Sequence, residues 1–217
     1  MPEIVFNGPD GRLEGRYQHG KTATSPIALV LHPHPLHGGS MNNKVVYTVF
    51  HVFARQGFSV LRFNFRGVGR SQGRYDHGQG ELSDAASALD WLQINNPNAT
   101  ACWISGFSFG AWIALQLLMR RPEINGFISV APPANMFDFS FLAPCPVSGL
   151  VIHGKADTVV PEASVAKLAA KLSHQRNITV PVKLIADADH FFSNKLDQLA
   201  QAVDDYLTEN ALTPADQ

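Results

Sequence analysis

A serine, an aspartate and a histidine stand far apart along this chain, each just beyond an apolar, β-prone run. Ser108 is the centre of Gly106-Phe107-Ser108-Phe109-Gly110, Asp157 lies in Gly154-Lys155-Ala156-Asp157-Thr158-Val159-Val160-Pro161, and His190 lies in Asp187-Ala188-Asp189-His190-Phe191-Phe192. A hydroxyl is a poor nucleophile at neutral pH unless a base accepts its proton, and the base needs a third group to fix its tautomer and stabilise the imidazolium. The three residue types supply those roles in turn. The chemistry they could perform is two-step acyl transfer, in which His190 deprotonates Ser108, the alkoxide attacks a carbonyl and water later cleaves the acyl-enzyme. Because the base must be neutral, activity is expected to fall on the acid side.

Competing readings follow from the same residues. Asp187 and Asp189 adjoin His190 too closely to reach its ring while it faces Ser108, and read as turn residues that accept local backbone hydrogen bonds. Asp138 is the alternative acid, from an earlier loop. Ser108 by itself could merely cap a buried helix. The tetrahedral intermediate needs N–H donors, and the turn geometry assigns one to Phe109. The other is expected from His32-Pro33-His34-Pro35-Leu36-His37-Gly38-Gly39, where the prolines have no N–H and either His34 or Leu36 remains. His32, His34 and His37 match no helical zinc spacing and have no acidic or cysteine ligand nearby, so no metal is expected. His32 is instead expected to be buried and His37 to line the site. Gly67-Val68-Gly69-Arg70-Ser71-Gln72-Gly73 fails the dinucleotide spacing and reads as an arginine-anchored turn, and no cofactor is expected.

The elements that must carry these residues alternate. A hairpin near 3–6 and 12–17 turns through Gly8-Pro9-Asp10-Gly11. Strands follow at 27–32, 59–65, 101–106, 126–131, 147–153 and 178–186, with helices at 43–56, 79–95, 109–120, 161–174 and 194–209. This predicts an α/β fold with a mostly parallel sheet, whose ligands bind beyond the carboxyl ends of the strands. Only about 15 residues separate the strands on either side of Asp138, too few for a helical cap. Phe137, Phe139, Phe141 and Leu142 in that gap could form an apolar wall or pack on the sheet edge, and an open site favours short acyl chains or exposed esters.

With 217 residues, 45% of them hydrophobic, the chain can bury a core on both faces of a sheet. A formal charge of −1 argues against nucleic-acid or anionic-membrane partners. Absence of an apolar span or a signal-like start makes cytoplasm the expected location. Cys102 and Cys145 form no C-x-x-C pair and read as inert thiols. Open sheet edges at the hairpin and the last strand would admit a homodimer.

Taken in order, His32-Pro33-His34-Pro35, Arg66-Gly67-Val68-Gly69-Arg70-Ser71, Gly106 to Gly110, His153-Gly154 to Pro161 and Asp189-His190-Phe191-Phe192 resemble the small, lidless bacterial serine hydrolases of the α/β-hydrolase superfamily, related to dienelactone-hydrolase-like enzymes. The resemblance covers roughly residues 25–207. It implies an α/β-hydrolase fold with about eight strands and no lid, and the whole chain is expected to form that single domain over 1–217, with the hairpin at about 3–17 and a flexible tail at about 210–217. It also implies the order nucleophile Ser108, acid Asp157, base His190. His34 becomes the second oxyanion donor beside Phe109, with His37, Phe107 and Phe191 as candidates for the substrate rim. Dienelactone hydrolases use cysteine where this chain has Ser108, which favours ordinary ester chemistry over the dienelactone reaction, and a small-molecule ester is the expected substrate. Thioesterase, acyltransferase or peptidase activity would use the same three residues, and a non-catalytic interaction protein on this scaffold is the alternative from another class.

Overall fold

The computed structural model describes residues 2–173, 175 and 177–210. Strands β1 (Glu3–Gly8) and β2 (Gly11–Gln18) pair antiparallel as the expected hairpin. β2 also pairs antiparallel with β4 (Ser59–Phe63), the first of a parallel set that includes β3 (Ile27–Leu31), β5 (Cys102–Phe107), β6 (Gly126–Val130), β7 (Gly149–Gly154) and β8 (Val182–Ile185). The eight strands run in the order β1-β2-β4-β3-β5-β6-β7-β8. After β3 the chain adds β4 on one side, then returns to place β5 on the other. The reversal opens a crevice at the carboxyl ends of β3 and β5, where side chains from separate loops can meet.

Among the described residues five helices cover the sheet: α1 (Lys44–Arg55), α2 (Gln79–Ile94), α3 (Phe109–Leu118), α4 (Glu162–Ser173) and α5 (Leu196–Asn210). Alternation along each strand sorts two cores. Leu29, Leu31, Leu61 and Phe63 pack with Leu89 of α2, Ile113 of α3 and Leu168 of α4. Ala28, Val30, Val60 and Ile128 pack with Val49 and Phe53 of α1 and Leu199 and Val203 of α5. A one-residue slip would exchange the two sets, so the register is fixed from both sides.

Most element ends shift by one or two residues from expectation, and three of the shifts have a visible cause. β4 ends at Phe63 rather than 65: Asn64 N–H still reaches the Glu14 carbonyl of β2, but Phe65 N–H turns away from the ladder to Nε2 of His32. β8 begins at Val182 rather than 178, since Pro181 has no N–H to donate. α5 begins at Leu196 rather than 194 because Phe192 and Asn194 hold left-handed φ of 53° and 58°. The β6–β7 connection contains one 3-10 turn, Ser140–Leu142, and no cap. Among the described residues no helix is long and apolar enough to cross a membrane. The tail expected over about 210–217 lies, from 211 onward, outside the described residues.

Candidate active site

Ser108 joins β5 to α3 at φ 53° and ψ −121°. That conformation is held from several directions. The Ser108 N–H donates to the Val130 carbonyl at 2.9 Å, and its own carbonyl accepts from Ala111 N–H at 2.8 Å. A Cβ on Gly106 would fall on the Gly110 carbonyl, and one on Gly110 would lie 2.5 Å from the Leu31 and His32 carbonyl oxygens. Both glycines are therefore required by close approach, which lets α3 start directly beneath the end of β3.

Asp157 and His190 come from the loops after β7 and β8. These loops are pressed together: Ala156 N–H donates to the Ala188 carbonyl at 2.9 Å, and a side chain on Gly154 would collide with that same carbonyl. Asp157 Oδ1 accepts from the N–H groups of Val159 and Val160, both at 2.8 Å, while Oδ2 accepts from His190 Nδ1 at 2.8 Å. Nδ1 thus carries the hydrogen, and Nε2 is left as acceptor 3.1 Å from Ser108 Oγ. Burial by itself would raise the Asp157 pKa, but the His190 hydrogen bond and the two N–H donors outweigh it and hold the carboxyl below its ordinary range. Fully buried His153 lies behind, its Nδ1 3.9 Å from Asp157 Oδ2. Burial pushes the His153 pKa down, so it stays neutral and adds no competing cation.

The other acids go elsewhere. Asp138 is exposed and accepts from the N–H and hydroxyl of Ser140, and Asp189 accepts from Ser193 N–H. Asp187 adopts a left-handed turn conformation.

In the loop after β3, Leu36 N–H is engaged by His34 Nδ1 at 3.2 Å, whereas the N–H groups of His34 and Phe109 have no acceptor among the described residues. His37 is exposed and its ring stacks on His34 with centroids 4.4 Å apart. His32 is fully buried, with Nδ1 donating to the Pro33 carbonyl and Nε2 accepting from Phe65 N–H. Both His32 nitrogens are therefore occupied, and no group of three or more metal-binding side chains gathers among the described residues.

Phe191 is 54% exposed beside the His190 ring, but Phe107, expected at the rim, is 1% exposed. The pleat turns Phe107 into the core under α1 and α5, where its ring supports His190 from below at 5.1 Å. Phe139 and Leu142 are core residues, and half-buried Phe137 stacks on Trp112 at 4.4 Å and meets Phe109 at 5.9 Å. Cys102 and Cys145 are free and buried, the Cys102 thiol pushed up to about 12 by burial.

The glycine-rich segment forms the anchored turn its composition suggested. Arg66 grips both carboxylate oxygens of buried Asp84, and Arg70 reaches Glu14. Sequence reading missed where that turn leads. It delivers Tyr75, whose hydroxyl lies 3.1 Å from His34 Nε2 and whose ring is 6.2 Å from that of Phe109. An aromatic residue at the end of a glycine-rich loop that leaves a strand at its carboxyl end was the available signal.

Comparison with known proteins identifies the family whose fold carries these residues. Residues 34–144, more than half of the chain, match the family model described as serine aminopeptidase, S33. An uncharacterized protein of Rickettsia prowazekii, RP471, is 55% identical over 211 residues, covering 95% of this chain and 89% of that protein. The crystal structure of ATU1826 from Agrobacterium tumefaciens, described as a putative α/β hydrolase, superposes with a TM-score of 0.94 at 58% identity over 97% of this chain and 96% of that one. XC6422 of Xanthomonas campestris, described as an α/β serine hydrolase without lid, superposes with a TM-score of 0.85 at 34% identity over 96% of this chain and 94% of that one. The chain therefore belongs to the serine aminopeptidase S33 family and is a small, lidless hydrolase of the α/β-hydrolase superfamily.

Proposed function

We propose that this hydrolase cleaves carboxylic esters with short or exposed acyl groups through an acyl-enzyme on Ser108. The observation that carries the reading is the continuous proton path from Ser108 Oγ to His190 Nε2 at 3.1 Å and from His190 Nδ1 to Asp157 Oδ2 at 2.8 Å. His190 takes the Ser108 proton as Oγ bonds to the carbonyl carbon. The oxygen that gains charge accepts from the Phe109 and His34 N–H groups. His190 then returns the proton to the leaving alcohol, and a second cycle with water as nucleophile frees the acid. Asp157 remains ionised, holding the imidazolium.

The family description favours a second reading, cleavage of aminoacyl amides. Recognition of a free amino terminus calls for a carboxylate beside the substrate. Of the acids in the two loops that frame His190, Asp157 and Asp189 are engaged by His190 and by their own backbone, which leaves exposed Asp187 as the carboxylate that amide cleavage would have to use. The ester reading needs no such carboxylate.

The test is labelling by a fluorophosphonate probe together with a panel of p-nitrophenyl esters and aminoacyl amides. Wild type is expected to label and Ser108→Ala not to label, with acetate and butyrate turned over faster than palmitate or any amide. Equal labelling of the Ser108→Ala variant would remove the mechanism, and preference for amides would establish the second reading.

A further inference from the structure

His34 is tied down at every polar atom but one. Its ring Nδ1 accepts from Leu36 N–H at 3.2 Å, and its carbonyl accepts from the N–H groups of His37 at 3.1 Å and Gly39 at 3.0 Å. Since Nδ1 is an acceptor, the neutral ring carries its hydrogen on Nε2, which donates to the Tyr75 oxygen at 3.1 Å. Only the backbone N–H is left without a partner among the described residues.

The Tyr75 contact differs in kind from the others. Leu36, His37 and Gly39 belong to the same short loop as His34, whereas Tyr75 arrives from the connection between β4 and α2, 41 positions away. Its segment is itself fastened. Glu81, fully buried in the first turn of α2, accepts from Asp76 N–H at 2.9 Å and Gly78 N–H at 2.7 Å, and the Tyr75 ring lies 5.0 Å from His34 and 6.2 Å from Phe109. A line of contacts therefore runs from α2 through Glu81, the 76–78 backbone and Tyr75 to the His34 ring. Burial and the neighbouring His37 imidazole both hold His34 below its ordinary range, which suits the neutral tautomer this line requires.

We propose that Tyr75 is a positioning residue whose hydroxyl braces the His34 imidazole, so that the His34 backbone N–H is presented to the oxygen that gains charge at Ser108. The proposal rests on the acyl-transfer reading. The three contacts within the loop fix its local curl, and the brace fixes the curl against the rest of the molecule. Without it the N–H is still present but is less well aimed. Removing an oxyanion donor outright costs about 10²–10³ in kcat, so loss of its aim alone is expected to cost about tenfold.

The experiment is steady-state kinetics on p-nitrophenyl acetate and butyrate with Tyr75→Phe, His34→Asn and the double variant, beside thermal unfolding of each. Tyr75→Phe is expected to lower kcat about tenfold on both esters, to leave KM within about twofold, and to leave the unfolding temperature unchanged. His34→Asn keeps an acceptor for Leu36 N–H but loses the reach to Tyr75, so it is expected to match that loss. It also carries the test should Tyr75→Phe not fold. Because both changes break one contact, the double variant is expected to fall about tenfold and not about a hundredfold.

Unchanged kcat in Tyr75→Phe would overturn the proposal, as would multiplicative losses in the double variant. An effect confined to KM that differs between the two esters would also overturn it, because Tyr75 would then be contacting substrate directly. Each of those results leaves Ser108-dependent activity intact in the wild type. Equal turnover by Ser108→Ala would instead remove the acyl-transfer reading and the proposal with it.

Discussion

Ser108 is held at φ 53° and ψ −121°, where any residue with a side chain stores roughly 1–3 kcal/mol of backbone strain. The strain is sustained by the Val130 and Ala111 hydrogen bonds and by the packing of α3 under β3. Its consequence is chemical, because Oγ stands clear of the sheet toward His190 while the next N–H in the chain stays unengaged. Alanine at this position removes the hydroxyl and keeps the strain, whereas glycine removes both. Urea denaturation should therefore find Ser108→Gly more stable than Ser108→Ala by about 1 kcal/mol, with neither variant active. Equal stabilities would show that the turn is relaxed.

The turn from β5 to α3 works only because the helix starts in contact with the neighbouring strand. Gly110→Ala would bring a methyl group to 2.5 Å from two backbone oxygens of Leu31 and His32, atoms that cannot swing away as a side-chain tip could. Overpacking of this kind is expected to cost about 3 kcal/mol and to displace the Ser108 loop, so activity should fall with stability. Gly38→Ala is the control at this scale. Gly38, unlike Gly110, has a positive φ, at 77°, but a Cβ there meets open space. Its cost is expected to be about 1 kcal/mol. Comparable losses in the two variants, measured by chemical unfolding, would show that close approach is not what the 110 position requires.

Across the whole molecule, two cores clamp a sheet whose carboxyl edge carries the site, and burial there sets how the fold responds to acid. His32 is fully buried at the end of β3, and burial lowers its pKa from 6.5 to about 4. The unfolded chain therefore takes up a proton first as pH falls. The stability this residue contributes is complete above about pH 6.5 and is lost progressively between there and pH 4. Between pH 7.5 and pH 5 the loss is about 2 kcal/mol from His32 alone, and His153, His34 and His51, also held low by burial, act in the same direction. Urea midpoints at the two pH values measure this. A midpoint that does not fall toward pH 5 would mean that His32 is protonated inside the fold.

The alternation of strands and helices and the spacing of Gly106 and Gly110 around Ser108 were legible in the residues themselves, because each depends on sterics or periodicity over a handful of neighbouring residues. The order of Ser108, Asp157 and His190 came instead from the family resemblance. Partner choice is not local. The Ser108–His190 contact joins residues 82 positions apart and the His190–Asp157 contact residues 33 apart, so that Asp157 and not Asp138 meets His190 only once β7 and β8 lie side by side. The same holds for Leu36, whose N–H is taken by a ring that folds back on it, and for Phe107, which the pleat sends into the core. It holds for Tyr75 as well, whose place beside His34 exists only because β3 and β4 are neighbours in the sheet. Amino-acid type decided which atoms could do chemistry, and the sheet order, by bringing distant loops to one edge, decided which of them touch.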